Sequence, residues 1–118
     1  MAQLPKAVRE YVEASNAFDG DRLIAAFAND AFVNDVRREF WGTEAIKAWT
    51  DKEIIGDRVT MDPTKVVEHY DVVSVDAIMD GNYDKTKLPP GPLILTHYFT
   101  VRGDKIVRLI IIRNTPSK

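Results

Sequence analysis

Apolar residues recur at helical spacing near the start of the chain. Val8, Tyr11, Val12, Ser15 and Phe18 share one helix face, with Arg9, Glu10 and Glu13 around the other side. Pro5 opens this helix, because a residue without an N–H fits the first turn. Asp19-Gly20-Asp21 breaks it, Gly20 suiting a left-handed turn and Asp21 the N-cap of a shorter helix. Leu23, Ile24 and Phe27 form the stripe of that second helix, which Asn29-Asp30 ends. A period of two then takes over from about Ala31 to Val36 or beyond. It sets Val33, Asp35 and Arg37 on one face and Phe32, Asn34 and Val36 on the other. Phe40-Trp41-Gly42 reads as a bend and Thr43 as an N-cap. Ile46, Trp49 and Ile54 are the apolar positions of a third helix, stopped by Gly56-Asp57.

Beyond Val59 the pattern is all strand. One strand spans Val59 to Tyr70, with Pro63 confining it to an edge or a bulge. A second spans Val72 to Tyr83, where Val73, Val75, Ala77 and Met79 alternate with polar residues and Gly81 suggests a bulge. Lys85 to Pro92 is a loop shaped by Pro89-Pro90-Gly91-Pro92. Leu93 to Val101 is a third strand, Arg102-Gly103-Asp104 a hairpin turn, and Lys105 to Arg113 the last strand. The run Leu109-Ile110-Ile111-Ile112 predicts burial on both faces. Helix, helix, strand, helix and an antiparallel meander make an α+β pattern, with helices on one face of a curved sheet.

Composition narrows the picture. With 118 residues the chain, 1–118, is one domain, large enough for a core without staples. A net charge of -2 argues against nucleic-acid and anionic-membrane partners, which need a surplus of Lys and Arg. With no cysteine, disulfides and thiolate metal sites are excluded, and two histidines, His69 and His97, are too few for a His-rich metal site. No metal and no cofactor is expected. Met1 to Lys6 lacks a signal-peptide core and no run has the length of a membrane span, so the expected location is cytoplasmic.

The anomaly in the pattern is Asp35, a carboxylate where a half-buried strand carries Val or Ile. Desolvated in an apolar hollow, it becomes a better proton acceptor, suited to a proton α to a carbonyl. Paired instead with Arg37 on the same face, it is a weaker base. Tyr11, on the inner stripe of the first helix, either donates to an oxyanion or bonds a backbone carbonyl as core. Trp41, Tyr83, Tyr98 and Met79 are candidates to line a hydrophobic cavity, with Trp41 and Tyr83 at its mouth. Phe27 and Trp49 read as core. Arg37 either clamps an acidic substrate group or sits in a solvated turn. His69 and His97 read as surface or interface residues, the alternative being a dehydratase-type His–Asp pairing that needs one of them to face inward, and Arg113 reads as an interface charge.

Three stretches resemble the nuclear transport factor 2-like superfamily, and within it the ketosteroid isomerase and SnoaL-like polyketide cyclase branch. Arg9 to Asp19 resembles the isomerase's first helix, with its catalytic tyrosine falling on Tyr11. Phe27 to Asp35 resembles the segment of its general-base aspartate, falling on Asp35. Phe40 to Ile46 resembles the glycine-led entry to helix three. The resemblance implies a cone-shaped, antiparallel-rich mixed sheet with three helices on its concave side, a cystatin-like roll. It implies isomerase, cyclase or dehydratase chemistry without a cofactor on a small apolar carbonyl compound, with Asp35 as base and Tyr11 as oxyanion donor. The isomerase's protonated second acid falls on Thr96, a weaker donor that is otherwise a strand filler. A non-catalytic binding or structural domain of the same fold is the alternative. Ile110 and Ile112 opposite Leu109 and Ile111 predict a homodimer through the sheet.

Overall fold

The computed structural model describes residues 4–86, 88 and 91–114. The first helix, α1 (Lys6–Asn16), starts after Pro5 and buries Val8, Tyr11, Val12 and Ser15. Its break differs in detail from the expectation. Phe18 takes the left-handed conformation (φ 55°), with the Arg58 guanidinium 3.9 Å from its ring centre. Asp19, not Asp21, then caps α2 (Gly20–Ala25), accepting the Arg22 N–H at 3.2 Å. A side-chain carboxylate there satisfies a free helix N–H, which a glycine turn does not.

Strand β1 (Phe27–Asp35) begins earlier than its alternation suggests, so Phe27 is a buried strand residue and not a helix residue. It turns back into β2 (Arg38–Trp41) through Val36 and Arg37, both with positive φ (49° and 77°). The turn pairs Asp35 with Arg38 and throws Arg37 outward into solvent. Gly42, at φ 82°, swings the chain into α3 (Gly42–Trp49). Thr43 does not cap that helix; its hydroxyl donates to the Asn29 carbonyl at 3.3 Å. The helix continues as a π-helical turn, Thr50–Ile55, before the chain enters the meander.

The meander is β3 (Thr60–His69), β4 (Val72–Asp80), β5 (Leu93–Arg102) and β6 (Lys105–Arg113). The six strands form one mixed sheet in the order β2-β1-β6-β5-β4-β3, with only the β1–β6 pair parallel. Pro63 lies in the edge strand β3, beside a register shift between Pro63 and Lys65. Gly81 makes no bulge; β4 has ended at Asp80. Pro89 and Pro90 of the proline loop lie outside the described residues.

The inner face carries Val33, Val73, Val75, Ala77, Phe99, Leu109 and Ile111 under the helices. Within one copy the isoleucine run is buried on one side only. Leu109 and Ile111 are buried, but Ile112 is 42% exposed, because every helix packs on one face only. Tyr98 and Ile78 share that open outer face with Ile112, and His69 is exposed.

Candidate active-site cavity

Pairing register decides what faces the helices. In β5, Leu95, His97 and Phe99 lie opposite Ala77, Val75 and Val73, all inner-face residues. Thr96 and Tyr98 therefore point out of the roll, and Thr96 donates its hydroxyl to Asp76 at 2.7 Å. Thr96 is not a cavity donor, and His97 is not a surface residue. It is 1% exposed and stands on the inner face. Across the sheet the same row reads Asp35, Ile111, His97 and Val75, one residue per strand.

Above this row lies a cavity of about 150 Å³, bounded by the sheet, α1 and the π-helical turn. Tyr11, Ser15, Asp35, Trp49, Glu53 and His97 supply its polar and aromatic wall. Met61, Met79, Leu93, Leu95 and Ile111 supply apolar wall, and Asp57 and Tyr83 also line it. An apolar cavity of this size holds a benzene-sized molecule. Tyr83 and Met79 are thus among the lining residues. Arg37, Trp41 and Tyr98 do not line it. Trp41 lies on the outer face, its ring 4.2 Å from that of Phe32, because Phe32 and Trp41 are paired on that side.

Asp35 is held by one oxygen. Its Oδ2 accepts from the Trp49 indole N–H at 3.0 Å and from Arg38 Nη2 at 2.7 Å. Oδ1 accepts from no described residue. The ion-pair partner is Arg38, the residue after solvent-facing Arg37, and Glu53 holds Arg38 in turn with two bonds of 2.7 Å. Burial raises the Asp35 pKa above the ordinary carboxylate value. The Trp49 bond and the Arg38 charge oppose that rise, and the Glu53 charge assists it. The carboxylate is neither turned into bulk water nor sealed in; its side chain is 15% exposed.

Tyr11 packs edge-on against Phe99 and Phe27, with ring centres 5.2 and 5.9 Å away. Burial first, then the Asp35 charge, push its phenol well above its usual pKa, so it stays protonated. The Ser15 hydroxyl leans toward the phenol and partly offsets that rise, yet Ser15 Oγ reaches hydrogen-bond geometry with nothing. The Tyr11 hydroxyl likewise bonds to no backbone carbonyl among the described residues. A neutral donor and a carboxylate oxygen thus face one apolar hollow, and together they can polarise a carbonyl and take up a proton beside it.

The sequence reading missed Trp49, Glu53, Arg38 and the orientation of His97. The signal for His97 was present: Leu95, His97 and Phe99 alternate with Thr96, Tyr98 and Thr100, and the apolar set belongs inside. Trp49 looked like core because it is core, 4% exposed and stacked on Phe40. Nothing in the spacing reveals that its N–H reaches Asp35. Among the described residues, no group of His, Asp and Glu is placed to hold a metal ion, and no helix is long and apolar enough to cross a membrane.

No family model matches the chain, and no curated protein matches it. Solved structures do. A candidate polyketide cyclase from Sinorhizobium meliloti, protein SMa1630, is 30% identical over 92% of this chain and 95% of its own, with a TM-score of 0.81. A protein with a ketosteroid isomerase-like fold from Catenulispora acidiphila, solved in complex with trimethylamine, is 23% identical over 93% of this chain and 86% of its own, with a TM-score of 0.75. An NTF2-like protein of unknown function from Cytophaga hutchinsonii is 12% identical over 97% of this chain and 95% of its own, with a TM-score of 0.74. Fold, strand order and these likenesses agree: the chain belongs to the nuclear transport factor 2-like superfamily, in its SnoaL-like polyketide cyclase and ketosteroid isomerase-like branch.

Proposed function

We propose that the cavity binds a small apolar carbonyl compound and moves a proton on the carbon beside the carbonyl. Asp35 Oδ1 takes the proton, and the Tyr11 hydroxyl donates to the oxygen on which negative charge develops. The observation that carries this reading is the one-sided tether of Asp35. Trp49 and Arg38 fix Oδ2, while Oδ1 has no partner among the described residues and the group lines the cavity. Isomerisation, aldol-type cyclisation and dehydration all begin with this step. The likeness to a candidate polyketide cyclase and to ketosteroid isomerase-like folds supports the same class. The volume favours a single ring over a fused ring system.

The test is deuterium uptake beside the carbonyl of cyclohexanone in deuterated water, followed by NMR. Wild type should accelerate uptake. Asp35→Asn, which keeps the shape and removes the basicity, should lose roughly 10²-fold or more of that rate. Undiminished uptake in the variant would remove Asp35 from the base role. A second reading has its own observation, the Arg38–Asp35 ion pair at 2.7 Å, which weakens the base. The domain then binds without turnover, and cyclohexanone would bind to wild type with no uptake. Two copies joined through the open outer face, over Tyr98, Ile112 and Ile78, complete the reading. Light scattering after size exclusion should give the mass of a dimer; a monomer at micromolar concentration rejects that part.

A further inference from the structure

The sheet row that sets Asp35 beside Ile111 sets His97 on the other side of the same isoleucine. Two strand spacings put the Asp35 and His97 backbones roughly 10 Å apart, a span that one six-membered ring and its substituents bridge. The imidazole has a fixed pose. It lies nearly parallel to Phe99, at 5.9 Å and 9°, and tilts against Tyr11 at 6.5 Å. Its Nδ1 is 3.3 Å from the Val75 carbonyl oxygen. A carbonyl can only accept, so Nδ1 carries the ring proton. Burial pushes the pKa of the ring down to about 4, against the opposing pull of the Val75 and Leu95 carbonyls. At neutral pH the ring is uncharged, and Nε2 presents a bare lone pair.

No described residue donates to Nε2. A plain ketone does not either, since its oxygen is an acceptor and its ring is apolar. Such a ligand would satisfy Tyr11 and leave a buried acceptor without a donor, an arrangement that costs affinity. The α1 wall of the cavity holds a second polar atom, Ser15 Oγ, which is buried and reaches hydrogen-bond geometry with no described residue.

We infer that His97 selects the ligand, admitting a single-ring hydroxy ketone whose hydroxyl donates to Nε2 while its carbonyl accepts from Tyr11. This deepens the proton-transfer reading and rests on it for the roles of Tyr11 and Asp35. With its one proton on Nδ1 toward the Val75 carbonyl, the imidazole offers the ligand an acceptor and not a second oxyanion donor. A hydroxyl-bearing ring is therefore recognised from two sides, by an acceptor on β5 and by a donor on α1.

The experiment compares cyclohexanol with cyclohexanone, matched in size and differing in the donor, by calorimetry. Wild type should bind cyclohexanol about tenfold tighter. His97→Phe should erase the preference, His97→Gln should restore part of it through its carbonyl oxygen, and Asp35→Asn should keep it. Equal affinities in wild type, or a preference that survives His97→Phe or vanishes in Asp35→Asn, overturn the inference. Should the Phe variant not fold, nitrogen NMR of the wild-type imidazole decides: cyclohexanol must move the Nε2 resonance and cyclohexanone must not. Deuterium uptake without a hydroxyl preference sinks this inference alone. A hydroxyl preference without uptake sinks the proton-transfer reading and leaves the selectivity of His97.

Discussion

Replacing Trp49 by Phe removes the indole N–H that lies 3.0 Å from Asp35 Oδ2 and leaves an aromatic ring at the Phe40 stack. Two costs result, and pH separates them. Loss of packing at a 4% exposed position costs roughly 1–3 kcal/mol at any pH. Loss of the hydrogen bond depends on the charge of its acceptor. A bond to a carboxylate contributes about 1.5–3 kcal/mol and one between neutral groups about 0.5–1.5 kcal/mol. The charged form therefore loses about 1.4 kcal/mol more than the neutral form, which lifts the Asp35 pKa further. The folded pKa of Asp35 is already above its unfolded value. The folded state thus holds the extra proton between the two values, and stability falls as pH rises through that window. In Trp49→Phe the window widens upward. Urea denaturation followed by far-UV circular dichroism, with wild type and variant at about pH 7 and about pH 3, measures the difference. The variant should be more destabilised at neutral pH by about 1.4 kcal/mol. Equal destabilisation at both pH values would refute the claim that the indole holds a charged carboxylate.

Ser15→Ala removes a buried hydroxyl with no hydrogen-bond partner and inserts a better helix former, so it should stabilise the fold by about 1 kcal/mol; a lowered melting temperature would show that Ser15 is bonded after all. Val36 and Arg37 both hold positive φ in a two-residue hairpin loop, a conformation that Asn-Gly adopts without strain. Val36→Asn with Arg37→Gly should therefore add about 1–2 kcal/mol in urea denaturation and leave ligand binding unchanged; no gain would mean the turn is unstrained. Arg38→Met removes a positive charge that lowers the Asp35 pKa, so the acid limb of the deuterium-uptake rate should move to higher pH. A limb that stays in place would detach the rate from Asp35.

Local pattern went far with this chain. Helical spacing put Tyr11 and Ser15 on the buried face of α1, and an alternating run put Asp35 inward beside Val33. These readings need only the period of a helix or a strand, which each segment carries by itself. The boundaries of β6 were legible to the residue, since Gly103 marks its start and a continuous apolar run follows. What sequence alone did not decide was everything set by two segments meeting. The partner of Asp35 is Arg38 and not Arg37 because a tight turn reverses the chain between them. Thr96 and His97 exchange their expected faces because the pairing of β5 with β4 fixes which parity of residue lies beneath the helices. A one-residue error in register inverts every side chain of a strand. Whether a polar atom is satisfied likewise depends on neighbours distant in sequence: Trp49 bonds Asp35 across fourteen positions, whereas Ser15 Oγ reaches hydrogen-bond geometry with no described residue. The sequence thus specified which groups enter the hollow from α1 and β1. Only the packed sheet decided which of them are spoken for by the protein and which remain for a ligand.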